Sequence, residues 1–204
     1  MFRKRRRRSS LTFSNRRKNA TQAIIKEVFS WLGVTAVAVI CALAFMAAFG
    51  MQIGTVGDSM DPVLYNGQKV LVNKLSYIIL GPKKGDIIAF LPNGNANSHY
   101  YVKRVVAVPG EKVQIIDGSL YINGTLQEDD DGLYDKMEDE GIAANEIKLE
   151  KGEYFVLGDN RNSSEDSRSA NIGVVKSNMI IGKVWFKLKS GDNKAGLILK
   201  RSKW

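Results

Sequence analysis

The hydrophobic pattern divides the chain into one long apolar stretch and a following region of short alternating segments. Val28 to Ile53 is a run of 26 residues without a charge. As a helix it would span about 39 Å, more than the roughly 30 Å hydrocarbon core of a bilayer. A cleaved signal peptide has an apolar core of only about 7–15 residues, and a soluble helix would show a polar face. The pattern therefore predicts a retained membrane anchor over residues 28–53.

The region after the anchor has the short, two-residue periodicity of β-strands. Seven runs predict strands: Lys69 to Val72, Asp86 to Leu91, Tyr100 to Val108, Lys112 to Ile116, Leu120 to Ile122, Glu153 to Leu157 and Met179 to Leu188. Asp117-Gly118 lies between two of these runs and is typical of a two-residue hairpin turn. We expect a mainly β, antiparallel domain over residues 54–190, preceded by residues 1–27 and followed by a basic tail over 191–204.

An acidic segment interrupts the predicted domain. Eight acids and one base lie between Glu128 and Glu140, a local charge of −7. Self-repulsion predicts a solvated excursion within a small inserted elaboration over residues 118–150. A calcium loop has suitable spacing at Asp129, Asp131, Gly132 and Glu138, but Gln127 stands where the first acidic ligand would be, so a solvated loop is favoured.

The net charge of +9 is concentrated at the N-terminus, where Arg3 to Lys18 contain nine basic residues and no acid. The remainder is neutral, with 21 basic and 21 acidic residues. Such a tail could bind nucleic acid, but the adjoining apolar stretch favours an anionic membrane surface. The positive-inside rule then predicts a single-pass protein of the cell membrane, with a cytoplasmic N-terminus, an extracytoplasmic domain and no nucleic-acid partner.

Few residue types for metal or disulfide chemistry are present. Cys41 is the only cysteine and lies inside the apolar run, so the predicted domain has no disulfide. We find no Cys or His spacing for zinc or iron, and we expect neither a metal nor another cofactor. His99 is the single histidine, so a Ser-His-Asp triad would have to be built on it.

A serine-lysine pair is the alternative source of nucleophilic chemistry. Ser59 lies six residues beyond Ile53, and Lys103 follows 44 residues later. A lysine acts as a base only when neutral, which for an unperturbed amine at pH 7 is about one molecule in 2,500, a penalty of about 4.6 kcal/mol. Strand alternation places Lys103 on an apolar face with Tyr101, Val105 and Ala107, with Arg104 on the opposite face. Burial there would lower the pKa of the amine.

A dense polar stretch, Gly158-Asp-Asn-Arg-Asn-Ser-Ser-Glu-Asp-Ser-Arg168, follows the apolar run Tyr154 to Leu157. Its residue types suit a hydrogen-bonded site, and they are also common in ordinary turns. Composition alone leaves both interpretations open.

Four motifs together give a specific resemblance. They are Val56-Gly-Asp-Ser-Met-Asp-Pro-Val-Leu64, Gly85-Asp-Ile-Ile-Ala-Phe90, Tyr101-Val-Lys-Arg-Val-Val-Ala-Val-Pro-Gly-Glu111 and Gly158 to Arg168. In this order the chain resembles the type I signal peptidases, the membrane-bound leader peptidase family. The single short anchor and small insertion are more similar to the Gram-positive branch than to two-anchor relatives.

The resemblance implies roles for individual residues. Ser59 would be the nucleophile, with its backbone N–H stabilising the oxyanion, and Lys103 the general base. Ser164 matches a hydroxyl that orients the lysine. The remaining matches are supporting residues: Asp166 and Arg168 through ion pairing, Arg104 through pairing with Asp159 or Asp166, and Met60 and Pro62 through the shape of the turn around the serine.

Three positions depart from the family pattern. Val63 replaces a common Thr and Ala107 a common Gly, which are small changes. Gly57 cannot supply the side-chain hydroxyl that some relatives use in the oxyanion hole, so a second donor remains to be identified.

The implied activity is removal of signal peptides from secretory preproteins through an acyl-enzyme. The resemblance implies small residues before the cut, docking by strand addition and contact with membrane lipid. Contact with the protein translocation machinery is left open. Two alternatives use the same sequence: a serine-lysine self-cleaving protease fused to a DNA-binding region, and a catalytically silent membrane-tethered binding module. The anchor argues against the first, and the presence of Ser59, Lys103 and Ser164 argues against the second.

Overall fold

A computed structural model describes residues 13–94, 99–127, 134–191 and 193–198. Most of the basic N-terminal tail, the first half of the acidic segment and the last six residues lie outside these ranges. The first half of the acidic segment includes the Asp129, Asp131 and Gly132 positions of the calcium-loop alternative. The chain separates into two compact units, residues 1–45 and residues 46–204.

The first unit is dominated by a long helix, α1 (Phe13–Phe49). Its Ile24–Ala47 portion is 24 residues long, exposed, and apolar enough to cross a membrane. The predicted end of the anchor at Ile53 is wrong. The helix ends at Phe49, and Met51–Gly54 form a strand instead. The end of the helix and the strand that follows are both apolar, so hydropathy alone could not distinguish a helix from a strand here.

The described part of the second unit consists of twelve strands and short helices. In chain order these are β1 (Met51–Gly54), β2 (Lys69–Asn73), α2 (Ser76–Ile79), β3 (Ile87–Phe90), β4 (Tyr101–Ala107), β5 (Lys112–Ile116), β6 (Ser119–Ile122), β7 (Thr125–Leu126), β8 (Ile147–Lys148), β9 (Glu153–Leu157), β10 (Val175–Lys176), β11 (Ile180–Lys187) and β12 (Gly196–Leu197). All seven predicted strands are present. The strands that the sequence pattern missed have two to four residues, too few to show a periodicity.

Two antiparallel sheets organise the strands. The larger has the order β1-β2-β11-β3-β4-β9-β10, with β12 added to β11. The smaller has the order β7-β6-β5-β8. Its central hairpin turns at Asp117 and Gly118, both with positive φ (49° and 73°), so the hairpin prediction is confirmed. The mainly β antiparallel fold is confirmed as well. The predicted elaboration over residues 118–150 stays a prediction; within it, β6, β7 and β8 belong to the small sheet, where β5 pairs with β6 and β8.

The core is built around β3, β4 and β9, whose side chains are nearly all buried. The register of β4 against β9 shifts between Val105 and Ala107. Val106 and Ala107 consequently pack in the same cluster, beside the small sheet. The strict alternation predicted for β4, which put Ala107 with Lys103, therefore ends at Val105.

The acidic segment is not a fully solvated excursion. Residues 128–133 lie outside the described ranges, but Tyr134 and Met137 are buried, and Met137 packs beside the small sheet. The apolar residues Tyr134 and Met137 are buried although acids surround them in the sequence, and a count of charges cannot predict this.

Candidate active site

A closed loop between β1 and β2 carries Ser59. Thr55 fastens its ends: the Thr55 N–H donates to Gln68 O (2.9 Å), Gly67 N–H donates to Thr55 O (2.9 Å), and the Thr55 hydroxyl donates to Gln68 O (3.0 Å). Within the loop, Leu64 N–H donates to Met60 O, which closes one helical turn directly after Ser59. Met60 is buried in the core, so the serine is held at the loop surface by its own neighbour.

Lys103 reaches Ser59 from β4. Its Nζ donates a hydrogen bond of 2.6 Å to Ser59 Oγ, and its side chain is almost wholly buried. Burial lowers the pKa of Lys103 from 10.5 to about 8, although Asp166 and Glu165 oppose that shift. About one molecule in eleven is then neutral at pH 7, and the penalty falls from about 4.6 to about 1.4 kcal/mol.

Arg104 points away from Lys103 into a buried ion pair. Its Nε and Nη2 donate to the two carboxylate oxygens of Asp159, each at 2.6 Å, and its Nη1 donates to Gly85 O at 2.9 Å. Of the two partners predicted for Arg104, the structure has Asp159. The bidentate pair joins β4 to the start of the polar stretch, residues 158–168, here called the catalytic loop.

A second buried pair lies inside the catalytic loop. Arg168 Nε donates to Asp166 Oδ1 (2.9 Å) and its Nη2 to Oδ2 (3.0 Å). Asp166 Oδ2 also accepts from Gly158 N–H at 3.0 Å. The predicted Asp166–Arg168 ion pair is present, and it folds the loop back on its own beginning.

Ser164 and Ser59 both lie against Gly158. A Cβ on this glycine would be 2.5 Å from Ser59 O and closer still to the Ser164 hydroxyl. The Ser164 Oγ is buried and makes no hydrogen bond to the residues that the structure describes. Asn160 N–H donates to Ser59 O at 3.0 Å, a contact that the sequence did not predict. The orienting role of Ser164 stays a prediction.

A cleft of about 410 Å³ opens over Ser59 and Lys103. Its lining includes Val56 to Met60 on one side and His99 to Lys103 on the other, with Ser163 and Glu165 from the catalytic loop. Tyr101 donates a 3.1 Å hydrogen bond to Glu165, a pair that the sequence analysis missed. The position of Tyr101, two residues before Lys103 on the same strand, was the available signal.

The backbone around Ser59 can serve an anionic ligand. Among the described residues, Ser59 N–H makes no hydrogen bond and is available to an oxyanion. Gly57 N–H donates to Asn66 Oδ1, so Gly57 offers neither a side chain nor a free amide. No group of three His, Cys, Asp or Glu residues that could hold a metal ion occurs within the described ranges.

Comparisons with known proteins agree with this geometry. Residues 28–188 match the family model described as signal peptidase, peptidase S26. The chain is 36% identical to signal peptidase IB of Staphylococcus aureus over 177 residues, which cover 79% of this chain and 90% of the relative. It is 32% identical to signal peptidase I of Bacillus licheniformis over 161 residues, with 76% and 85% covered.

A solved structure of a signal peptidase I from Enterococcus faecalis is 32% identical to the chain. The match covers 52% of this chain and 98% of that one, with a TM-score of 0.39.

Proposed function

Because the chain belongs to the signal peptidase family, peptidase S26, and is therefore a serine peptidase, we propose that Ser59 and Lys103 form its catalytic dyad. The observation that carries the assignment is the 2.6 Å contact between Lys103 Nζ and Ser59 Oγ at the floor of the cleft. His99 lines the same cleft but is exposed, whereas Lys103 is the buried partner of the serine hydroxyl.

The dyad supports acyl transfer in two stages. Neutral Lys103 takes the proton of Ser59 Oγ as that oxygen attacks the scissile carbonyl, and the Ser59 N–H donates to the oxyanion. The lysine ammonium then gives its proton to the leaving amine, which is the new N-terminus of the mature protein. In the second stage Lys103 deprotonates a water that attacks the acyl-enzyme, and collapse of the intermediate releases the signal peptide and regenerates the serine.

Supporting residues hold the side chains of Ser59 and Lys103 in position. The Arg104–Asp159 pair fixes the start of the catalytic loop against β4, and the Asp166–Arg168 pair fixes its end. Ser164 lies beside Gly158, and its buried hydroxyl, which makes no hydrogen bond to the described residues, has the proposed role of orienting the lysine amine. Met60 and Pro62 shape the turn that presents Ser59.

Secretory preproteins are the substrates, and the cleft suits an extended segment. β9 pairs with β4 only from Arg104 onward, so Tyr101 to Lys103 carry a backbone edge on that side that β9 does not use. We expect a substrate strand to pair with this edge and with residues 55–58 opposite, which leaves alternate side chains for pockets. The family resemblance implies small residues before the cut.

The chain is membrane-anchored, and the proposed arrangement is a single pass with the N-terminus in the cytoplasm and the second unit outside. The basic residues before the apolar stretch of α1 and the neutral charge after it support this orientation. Membrane lipid is then a partner of the anchor, and preproteins emerging from the translocation machinery meet the cleft on the outer side.

The test is cleavage of a preprotein by the full-length, detergent-solubilised protein, with N-terminal sequencing of the product. Ser59→Ala, Lys103→Ala and Lys103→Arg should each lower kcat by at least about 10³-fold while the protein stays folded, because nucleophile and base act in one step and a guanidinium stays protonated. A folded Lys103→Arg variant with wild-type kcat would exclude lysine as the base, and a fully active Ser59→Ala would exclude the serine mechanism.

A further inference from the structure

The described end of the acidic segment, residues 134–142, lies against the catalytic loop. This stretch is here called the brace segment. It contributes no residue to the cleft lining, and the proposed mechanism assigns it no role. Its contacts are nevertheless concentrated on the residues that hold Lys103 and Ser59 together.

Tyr134 makes the first contact. Its side chain is buried, with 5% exposure, and the Arg161 guanidinium carbon lies 4.3 Å from its ring centroid. Its hydroxyl donates to Asp159 Oδ1 at 3.4 Å, the oxygen that also accepts from Arg104. Tyr134 therefore packs directly on the ion pair that joins the catalytic loop to β4.

Asn162 makes a reciprocal connection in the middle of the loop. Its Oδ1 accepts from Glu138 N–H and its Nδ2 donates to Lys136 O, both at 3.0 Å. A side-chain amide that uses both ends on the backbone of one segment fixes the relative position of the two chains.

Arg168 makes the third contact, at the C-terminal end of the catalytic loop. Its Nη1 donates to Asp139 O at 3.1 Å, and its own carbonyl accepts from Ile142 N–H at 2.9 Å. Gly141 has φ 54° and approaches the Arg168 backbone so closely that a Cβ could not be accommodated.

These contacts hold a loop that contains no regular strand or helix. The loop supplies Asn160 N–H to the carbonyl of Ser59, and it carries Ser164, Asp166 and Arg168 beside Lys103. A displacement of about 1 Å in a positioning element can cost about a hundred-fold in rate.

We propose that the brace segment positions the catalytic loop for the chemical step, with Tyr134 as its principal positioning residue through the Arg104–Asp159 pair and Arg161. The inference rests on the proposed Ser59–Lys103 mechanism. It makes the brace segment a part of the catalytic framework rather than an appendage.

The experiment compares kcat and KM of full-length variants on one signal-peptide substrate, below the unfolding temperature of each. Tyr134→Ala should lower kcat about ten- to hundred-fold and change KM less than about three-fold, because the cleft lining is intact. Tyr134→Phe keeps the ring on Arg161 and should restore kcat to within about three-fold of wild type. Asn162→Ala should lower kcat about three- to ten-fold.

Tyr121→Ala is the matched control. Tyr121 is a half-buried tyrosine of β6 in the same small sheet, with Gln114 and Leu126 as its cross-strand neighbours. Its kcat should stay within about two-fold of wild type. Equal losses of kcat in Tyr121→Ala and Tyr134→Ala would show that the effect is general destabilisation, and this would overturn the proposal.

Unchanged kcat in a folded Tyr134→Ala would also overturn it. If that variant does not fold, Asn162→Ala decides, and a wild-type kcat there rejects the brace. Ser59→Ala is run alongside. An inactive Ser59→Ala together with a fully active Tyr134→Ala would refute only the proposed role of the brace segment. Activity in Ser59→Ala would refute the proposed function itself.

Discussion

At the scale of single residues, Lys103 has to be buried enough to lose its proton and polar enough in its surroundings to be oriented. Desolvation lowers its pKa most, Asp166, Glu165 and Asp159 raise it and Arg168 lowers it, and the pKa that results is about 8. Glu165 differs from the other acids because it is exposed and held by the Tyr101 hydroxyl at the cleft. It can therefore be changed without removing a buried ion pair.

The pH profile should report this balance. Activity should rise as pH passes through about 8, because the base must be neutral in the free enzyme. A carboxylate beside an ammonium favours the charged form, so Glu165→Gln should lower the pKa and move the acidic limb of kcat/KM to lower pH. Solvent screening at an exposed position limits the shift to roughly 0.2–0.5 pH units.

Glu165→Asp retains the charge and is the control for that measurement. An acidic limb that vanished in His99→Gln would assign the base to histidine. A shift of the Glu165→Gln limb to higher pH would contradict the electrostatic argument.

At the scale of elements, the site depends on a close approach of two irregular segments at Gly158. This residue directly follows β9, and its missing side chain leaves room for the Ser59 carbonyl and the Ser164 hydroxyl. The Ser59 carbonyl belongs to a loop already fixed by Thr55 and Gln68, so it cannot retreat easily.

Gly158→Ala should therefore lower kcat at least about ten-fold and reduce stability by about 1–3 kcal/mol, since backbone must shift to accept the methyl group. Gly196→Ala is the matched control, because a Cβ there meets nothing within 4 Å. Kinetics and thermal unfolding of both variants provide the measurement. Wild-type kcat in Gly158→Ala would show that the two segments can separate without cost to the chemistry.

Sequence reasoning recovered the elements whose signal is local. The seven longer strands and the Asp117-Gly118 hairpin follow from periodicity and turn chemistry. It failed where tertiary pairing decides: Met51 to Ile53 read as a continuation of the anchor, yet they pair with Val70 to Val72. The site residues named from motifs include Ser59 and Lys103, which lie in contact. Tyr134 and Asn160 were missed, because their importance lies in contacts across the chain that no spacing encodes.

At the scale of the whole molecule, charge and hydropathy are segregated along the chain. The basic excess precedes the apolar stretch of α1, and the neutral second unit follows that stretch. Anchoring raises the local concentration of a substrate that is itself held in the membrane. The anchor therefore assists the reaction that is proposed for the second unit.

The proposed orientation can be tested by thiol labelling of wall-stripped cells. In a Cys41→Ala background, a cysteine replaces Ser9 in the basic tail or Lys151, an exposed residue of the turn before β9. In the proposed orientation, nine basic residues before the apolar stretch hold the tail on the cytoplasmic side. A membrane-impermeant maleimide should therefore label Lys151→Cys in intact cells, and it should label Ser9→Cys only after the membrane is opened. The cysteine-free parent controls for background, and retained preprotein cleavage by both variants shows that each is inserted in its functional orientation. Labelling of Ser9→Cys alone in intact cells would place the cleft in the cytoplasm, where it could not meet an exported signal peptide.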